Sequence, residues 1–326
     1  LIRLNTLQYN PLDINFSFEK YSLDSLLSNS NFEELCMEYK KSFNFSKVKT
    51  FSFSKEGFLG LFLELKGNIA VSYGECEALI NGAKLYESFG FEIIWIDLNK
   101  DGKINLSQLE NKNIDFLFLS SYVMDTFIMT SLSDVKKLTT AKIVSNASAN
   151  FSTLSDAIYF DNYKLTGYSL SGVLLFEEDN FFELLNIGFI DTLAVKCCFE
   201  ALKTQKFNFE MKEKFQKKLE EKFKKDLYFF VNPNDTLAYS LHFGLKDIKA
   251  RELIRTLALN KIFLTNGEGC SLGLSKPSRI IQAMGYDEIT SRNSIQIAFV
   301  DFFNDKEIEK IVDIIYLKYK QLKSIS

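Results

Sequence analysis

Short runs of apolar, β-branched and aromatic residues recur along the first half of the chain, at 48–53, 68–72, 92–97, 115–121, 141–145, 157–161 and 172–176. Runs of that length, bounded by polar turn residues, predict strands. Between several of them the apolar positions fall three and four apart instead. The segments 76–89 and 131–139 therefore predict helices, and Leu79, Ala83 and Tyr86 share one face of the first. Alternation of strand and helix predicts a largely parallel sheet covered on both faces.

The pattern changes after residue 190. Residues 191–203 read as a buried helix, and 211–226 as a lysine- and glutamate-rich helix with Phe215, Leu219 and Phe223 in a stripe. Its charge run is a solvated face. Strands are predicted at 236–243, 261–265 and 294–300, and helices at 249–259 and 305–322. The fold class is therefore α/β, with a large, mainly parallel-sheet domain over 26–190 and a smaller α+β domain over 191–326. Residues 1–25 are expected to lie against the smaller domain.

Composition narrows the function classes. With 46% hydrophobic residues the chain can bury a sizeable core. A net charge of −3 gives no electrostatic argument for nucleic acid or an anionic membrane surface. The apolar run 58–65 is too short to span a bilayer and contains Glu64. No continuous apolar core marks the first thirty residues as a signal peptide, so a soluble cytoplasmic protein is expected. The cysteines are Cys36, Cys76, Cys197, Cys198 and Cys270, an odd number without a CxxC pair, which points to neither a disulfide framework nor a zinc site. Cys197 and Cys198 lie in an apolar helical stretch and read as core residues. The single histidine, His242, reads as a structural strand residue, and no metal site is expected.

Two stretches carry candidate chemistry. Cys270 stands in a glycine-rich turn after an apolar run, and the turn leads through Lys276, Pro277 and Ser278 into a helix. A thiol on such a loop is poorly placed for core formation and well placed for reaction. Lys164 follows the strand 157–161 and is followed by Gly167 and Gly172, which permit a tight turn beside it.

The first stretch resembles the active-site loop of cysteine desulfurases, in the class V aminotransferase family. The matching residues are Gly267, Cys270-Ser271, Pro277-Ser278 and Ala283-Met284-Gly285. The second resembles that family's cofactor-lysine segment. The resemblance implies the fold of PLP-dependent transferases of type I, with pyridoxal 5′-phosphate (PLP) bound to Lys164 as a Schiff base. It implies conversion of L-cysteine to L-alanine, with sulfur carried by Cys270 as a persulfide and passed to an acceptor or scaffold protein. It also implies a homodimer.

The resemblance fails at several further positions. Cys76 and Tyr163 stand where the family has histidines, the first of which stacks on the cofactor ring. Asn146 stands where an aspartate pairs with the pyridine nitrogen; an amide can hydrogen-bond there but cannot stabilise its positive charge as a carboxylate does. Gln296 replaces the arginine that anchors the substrate carboxylate, for which Arg279 and Arg292 are the candidate substitutes. At the phosphate-binding turn Ser54 or Lys55 would meet the phosphate, aided by the following helix N-terminus. The threonine lent by a partner subunit is replaced near Gly188-Phe189. Glu268, close to Cys270, would raise the thiol pKa unless Lys276 or Arg279 offsets it. Three readings follow: a working cysteine desulfurase, another PLP reaction with Cys270 idle, or a non-catalytic paralogue acting as a binding partner in sulfur or iron–sulfur metabolism.

Overall fold

The computed structural model describes residues 1–6, 30–177, 190–268 and 276–324. Cys270 and the Gly188-Phe189 pair lie outside the described residues. In chain order the elements begin with β1 (Ile2–Arg3), α1 (Ser30–Phe43), β2 (Lys47–Ser52), α2 (Lys55–Glu64), β3 (Ile69–Ser72), α3 (Glu77–Ser88), β4 (Ile93–Ile96) and β5 (Phe116–Phe118). There follow α4 (Leu132–Leu138), β6 (Lys142–Asn146), β7 (Ala157–Asp161), α5 (Asn162–Thr166), β8 (Ser171–Phe176), α6 (Thr192–Thr204) and α7 (Met211–Phe223). The last are β9 (Leu227–Tyr228), β10 (Ser240–Leu245), α8 (Ala250–Ala258), β11 (Ile262–Phe263), α9 (Arg279–Ala283), α10 (Glu288–Ser291), β12 (Ser294–Ala298) and α11 (Asp305–Lys323).

Seven strands form one sheet in the order β2-β8-β7-β6-β5-β3-β4. From β4 to β7 neighbouring strands run parallel, whereas β8 is antiparallel to both β7 and β2. The expected mainly parallel sheet is thus present, with an antiparallel edge. Alternation along its strands divides the core between two faces. Tyr159 of β7 and Leu174 of β8 face the layer of α2 and α3, while Ile158, Phe160, Val173 and Leu175 face α1 and α6. The predicted face of α3 is the buried one: Leu79, Ala83 and Tyr86 all lie in the core. Cys197 and Cys198 are buried in α6, as expected.

A second sheet, β12-β10-β9, carries α7, α8 and α11 on its apolar face. Phe215, Leu219 and Phe223 of α7 supply the stripe read from the sequence. The helix expected over 211–226 stops at Phe223, because Lys224 has φ +49° and a tight turn follows. The strand expected at 236–243 begins only at Ser240, after a turn opened by Pro233. Ile2 and Arg3 pair in parallel with Ile262 and Phe263, which ties the described N-terminal residues to the second sheet's neighbourhood. Among the described residues no helix is long and apolar enough to cross a membrane.

Candidate functional site at the carboxyl ends of the parallel strands

Open α/β sheets present their ligand sites outside the carboxyl ends of the strands, and the polar side chains of this chain gather there. Glu75 and Cys76 follow β3, Ser120 follows β5, Asn146 ends β6, and Asp161 ends β7. Asp161 caps the single turn of α5, its side chain accepting from the Lys164 N–H at 3.1 Å. Gly167 closes that turn with φ +74°. The turn brings the Lys164 side chain back over the strand ends, where only 14% of it is exposed.

The Lys164 ammonium lies between two carboxylates. Its Nζ donates to Glu268 Oε1 at 3.2 Å and stands 3.6 Å from Asp161 Oδ2. Burial acts to lower its pKa, but Glu268, Asp161 and more distant acidic groups together hold it above the usual lysine value. Glu268 also binds beyond the lysine. Its Oε2 accepts the Glu77 N–H at the first turn of α3, at 2.9 Å, and lies 3.6 Å from an Arg279 Nη2. Arg279 is in turn anchored on the carbonyl oxygens of Tyr73 and Glu75.

Three further buried acids or polar groups complete the cluster. Asp125 accepts the Glu268 N–H at 2.9 Å and the Ser278 O–H at 2.7 Å, and burial, followed by the Glu268 charge, pushes its carboxyl up to about 6. That bond requires Gly267, whose φ is +98° and where a Cβ would fall 2.1 Å from Asp125 Oδ1. Glu75 accepts the Tyr159 O–H at 2.8 Å; burial pushes it up to about 7, with hydrogen bonds from Ser120 and Tyr159 acting the other way. The Cys76 thiol is fully buried 3.9 Å from the Tyr159 hydroxyl, and burial pushes its pKa up, away from thiolate chemistry.

The cluster thus includes Lys164 and Cys76 of the residues selected from the sequence. Asn146 lies close by, with Lys164, at a cavity of about 20 Å³. Its amide oxygen accepts the Ser148 N–H at 2.9 Å. Ser54 caps α2, its hydroxyl accepting the Gly57 N–H at 3.3 Å, and no hydrogen bond joins it to Lys164 or Asn146. Tyr163 is 40% exposed. Of the two candidate arginines, Arg292 pairs with Glu288 on its own helix, whereas Arg279 enters the cluster. Asp125, Asp161, Glu75 and Tyr159 were not selected from the sequence. Only Asp161 carried a local signal, standing three residues before Lys164 at helical spacing.

The structure resembles known ones over nearly its whole length. A protein described as NifS-like superposes with a TM-score of 0.78 at 15% identity, covering 98% of this chain and 100% of the other. The chain has the NifS-like fold. A NifS-like protein from Rickettsia africae gives 0.74 at 15% identity, covering 98% of this chain and 99% of its own. A cysteine desulfurase from Thermococcus onnurineus gives 0.66 at 15% identity, with 93% and 87% covered. No protein-family model matches the sequence, and no curated protein matches it.

PLP is a poor fit to the residues as they are arranged. A cavity of about 20 Å³ lies beside Lys164 and Asn146. The amine that would form the Schiff base is held as an ammonium by two carboxylates, and only a neutral amine is a nucleophile.

Proposed function

We propose that this chain is a non-catalytic protein on the NifS-like fold, a cytoplasmic binding partner in sulfur or iron–sulfur metabolism. One observation carries the reading: the Lys164 ammonium, the amine on which the expected chemistry depends, is committed to Glu268 and Asp161. The cysteine desulfurase among its structural neighbours supports the link to sulfur. Tyr168 and Leu170, 63% and 69% exposed on the turn after α5, support a protein contact beside this cluster, with a second subunit or another partner. The two sheets support the division into 26–190 and 191–326 as the units that such a partner would meet. The test is incubation of the purified chain with PLP and borohydride, followed by mass spectrometry of the Lys164 peptide and circular dichroism. Folded protein without an adduct is expected, and an adduct on Lys164 overturns the reading.

A working cysteine desulfurase is the second reading, in which L-cysteine is the substrate and Cys270 the sulfur carrier. It is favoured by the pairing of Glu268 with Lys164, because Glu268 stands only two residues before Cys270 in sequence. On this reading the wild type releases sulfide from cysteine and Cys270→Ala does not. Sulfide release that survives in Cys270→Ala sinks the thiol as carrier.

A further inference from the structure

We infer that Lys164, Arg279 and the first N–H of α3 form a carboxylate-binding cradle, that the chain's own Glu268 occupies it, and that a small monocarboxylate takes the same place when Glu268 withdraws. The cradle is built from three separate elements around one planar group. Lys164 of α5 serves one oxygen at 3.2 Å. The Glu77 N–H of α3 serves the other at 2.9 Å, and Arg279 of α9 lies 3.6 Å from it. Each donor is held in place by something other than Glu268. Asp161 lies 3.6 Å from the Lys164 Nζ, and Arg279 is fixed by the backbone oxygens of Tyr73 and Glu75. Glu77 begins a helix of 12 residues whose N-cap, Cys76, makes no side-chain capping bond, and its first N–H is the one that Glu268 takes. Arg279 has a further donor to offer, since its Nε is buried without a protein partner.

Charge selects the ligand class. Two cations face Asp161 and the occupying carboxylate, so one negative charge completes the balance. The missing arginine at Gln296 sharpens the point: a cation suited to a carboxylate is present, but it comes from α9. The cradle requires neither PLP nor a protein partner, so the PLP adduct test and the test below can fail independently.

The experiment measures the melting temperature of the full chain as wild type, Glu268→Ala and Glu268→Gln. Sodium acetate is titrated against sodium chloride at equal ionic strength and fixed pH. Glu268→Ala empties the place of the carboxylate and is expected to melt below the wild type. Acetate is expected to raise it saturably, by about 2 °C at ~10-fold above the dissociation constant, and chloride is not. The wild type is expected to respond alike to both salts. Glu268→Gln keeps the side-chain volume, and is expected to melt below the wild type without an acetate response. If Glu268→Ala responds alike to both salts, the cradle is not a carboxylate site. If Glu268→Ala does not fold, Glu268→Gln decides: stability equal to the wild type means the carboxylate charge is not engaged, and overturns the inference.

Discussion

Two buried polar clusters in this chain are satisfied in opposite ways. Around Lys164 the buried charges have counterparts: Glu268 and Asp161 face the lysine, Glu268 also faces Arg279, and Asp125 accepts from Ser278 and the Glu268 backbone. On the second sheet His242 and Gln296 stand directly opposite each other on β10 and β12, fully buried, and neither ring nitrogen nor either amide atom has a hydrogen-bond partner. The difference follows from charge. An ion taken out of water without a counterion costs several kcal/mol, whereas an unpaired neutral group costs about 1–3 kcal/mol. His242 stays on the tolerable side of that line because burial pushes its pKa down to about 3, which keeps it neutral.

Replacing Lys164 by Met breaks the comparison most strongly. Two buried carboxylates then lose their shared cation, and we expect a loss of about 3–5 kcal/mol in urea unfolding at neutral pH. A loss under 1 kcal/mol would mean that the pairing does not stabilise the fold.

The pH dependence separates the two clusters next. His242 has a folded pKa of about 3 against an ordinary value of 6.5, so below 6.5 the unfolded chain takes up a proton that the folded chain refuses. Its contribution to stability is lost as pH falls from 6.5 towards 3, with a slope of about 1.4 kcal/mol per pH unit that His242→Leu should remove. Glu75 acts in the other direction. Its folded pKa of about 7 lies above the ordinary 4.5, so as pH rises between these values the unfolded chain releases its proton first and stability declines. Glu75→Gln should flatten that neutral-side decline and leave the His242 limb in place. Stability curves that do not change in these two windows would refute the assignments.

At neutral pH a smaller effect is expected from His242→Leu combined with Gln296→Leu. Removing both unpaired groups together should leave stability unchanged or raise it by about 1 kcal/mol, because no partner is orphaned. A clear loss would show that the pair is engaged after all. The control is Lys218→Ala on α7, whose 3.3 Å ion pair with Glu221 is solvent-exposed and should be worth at most about 0.5 kcal/mol.

The legibility of the chain divides along the same line. The buried face of α3, the stripe of α7 and the parallel strands could all be read from local spacing, because a helix or strand repeats its environment every few residues. Lys164 could be singled out because the strand before it and Gly167 and Gly172 after it resemble the cofactor-lysine segment of a known family. Glu268 could not be matched to it: the two are 104 residues apart, and next to Cys270 the carboxylate read as a neighbour of the thiol. Nor did sequence distinguish Arg279 from Arg292, which differ only in where α9 and α10 point them. The unusual backbone of Asp125, at φ +59°, likewise has no local sequence signal strong enough to announce a ligand for the Glu268 N–H.

By itself the sequence determined the α/β class and the order of most elements, because hydrophobic periodicity and turn residues act between near neighbours; the stretches in which chemistry was sought came from the likeness of their residues to a known family's motifs. Only the tertiary structure decided what the lysine pairs with. Pairing between charges depends on distance in space, and the crossing of α3, α5 and the segment before α9 is what brings Glu268 to Lys164. Once those groups are buried together, the low local dielectric strengthens their mutual attraction, which outweighs the burial penalty and raises the pKa of the lysine.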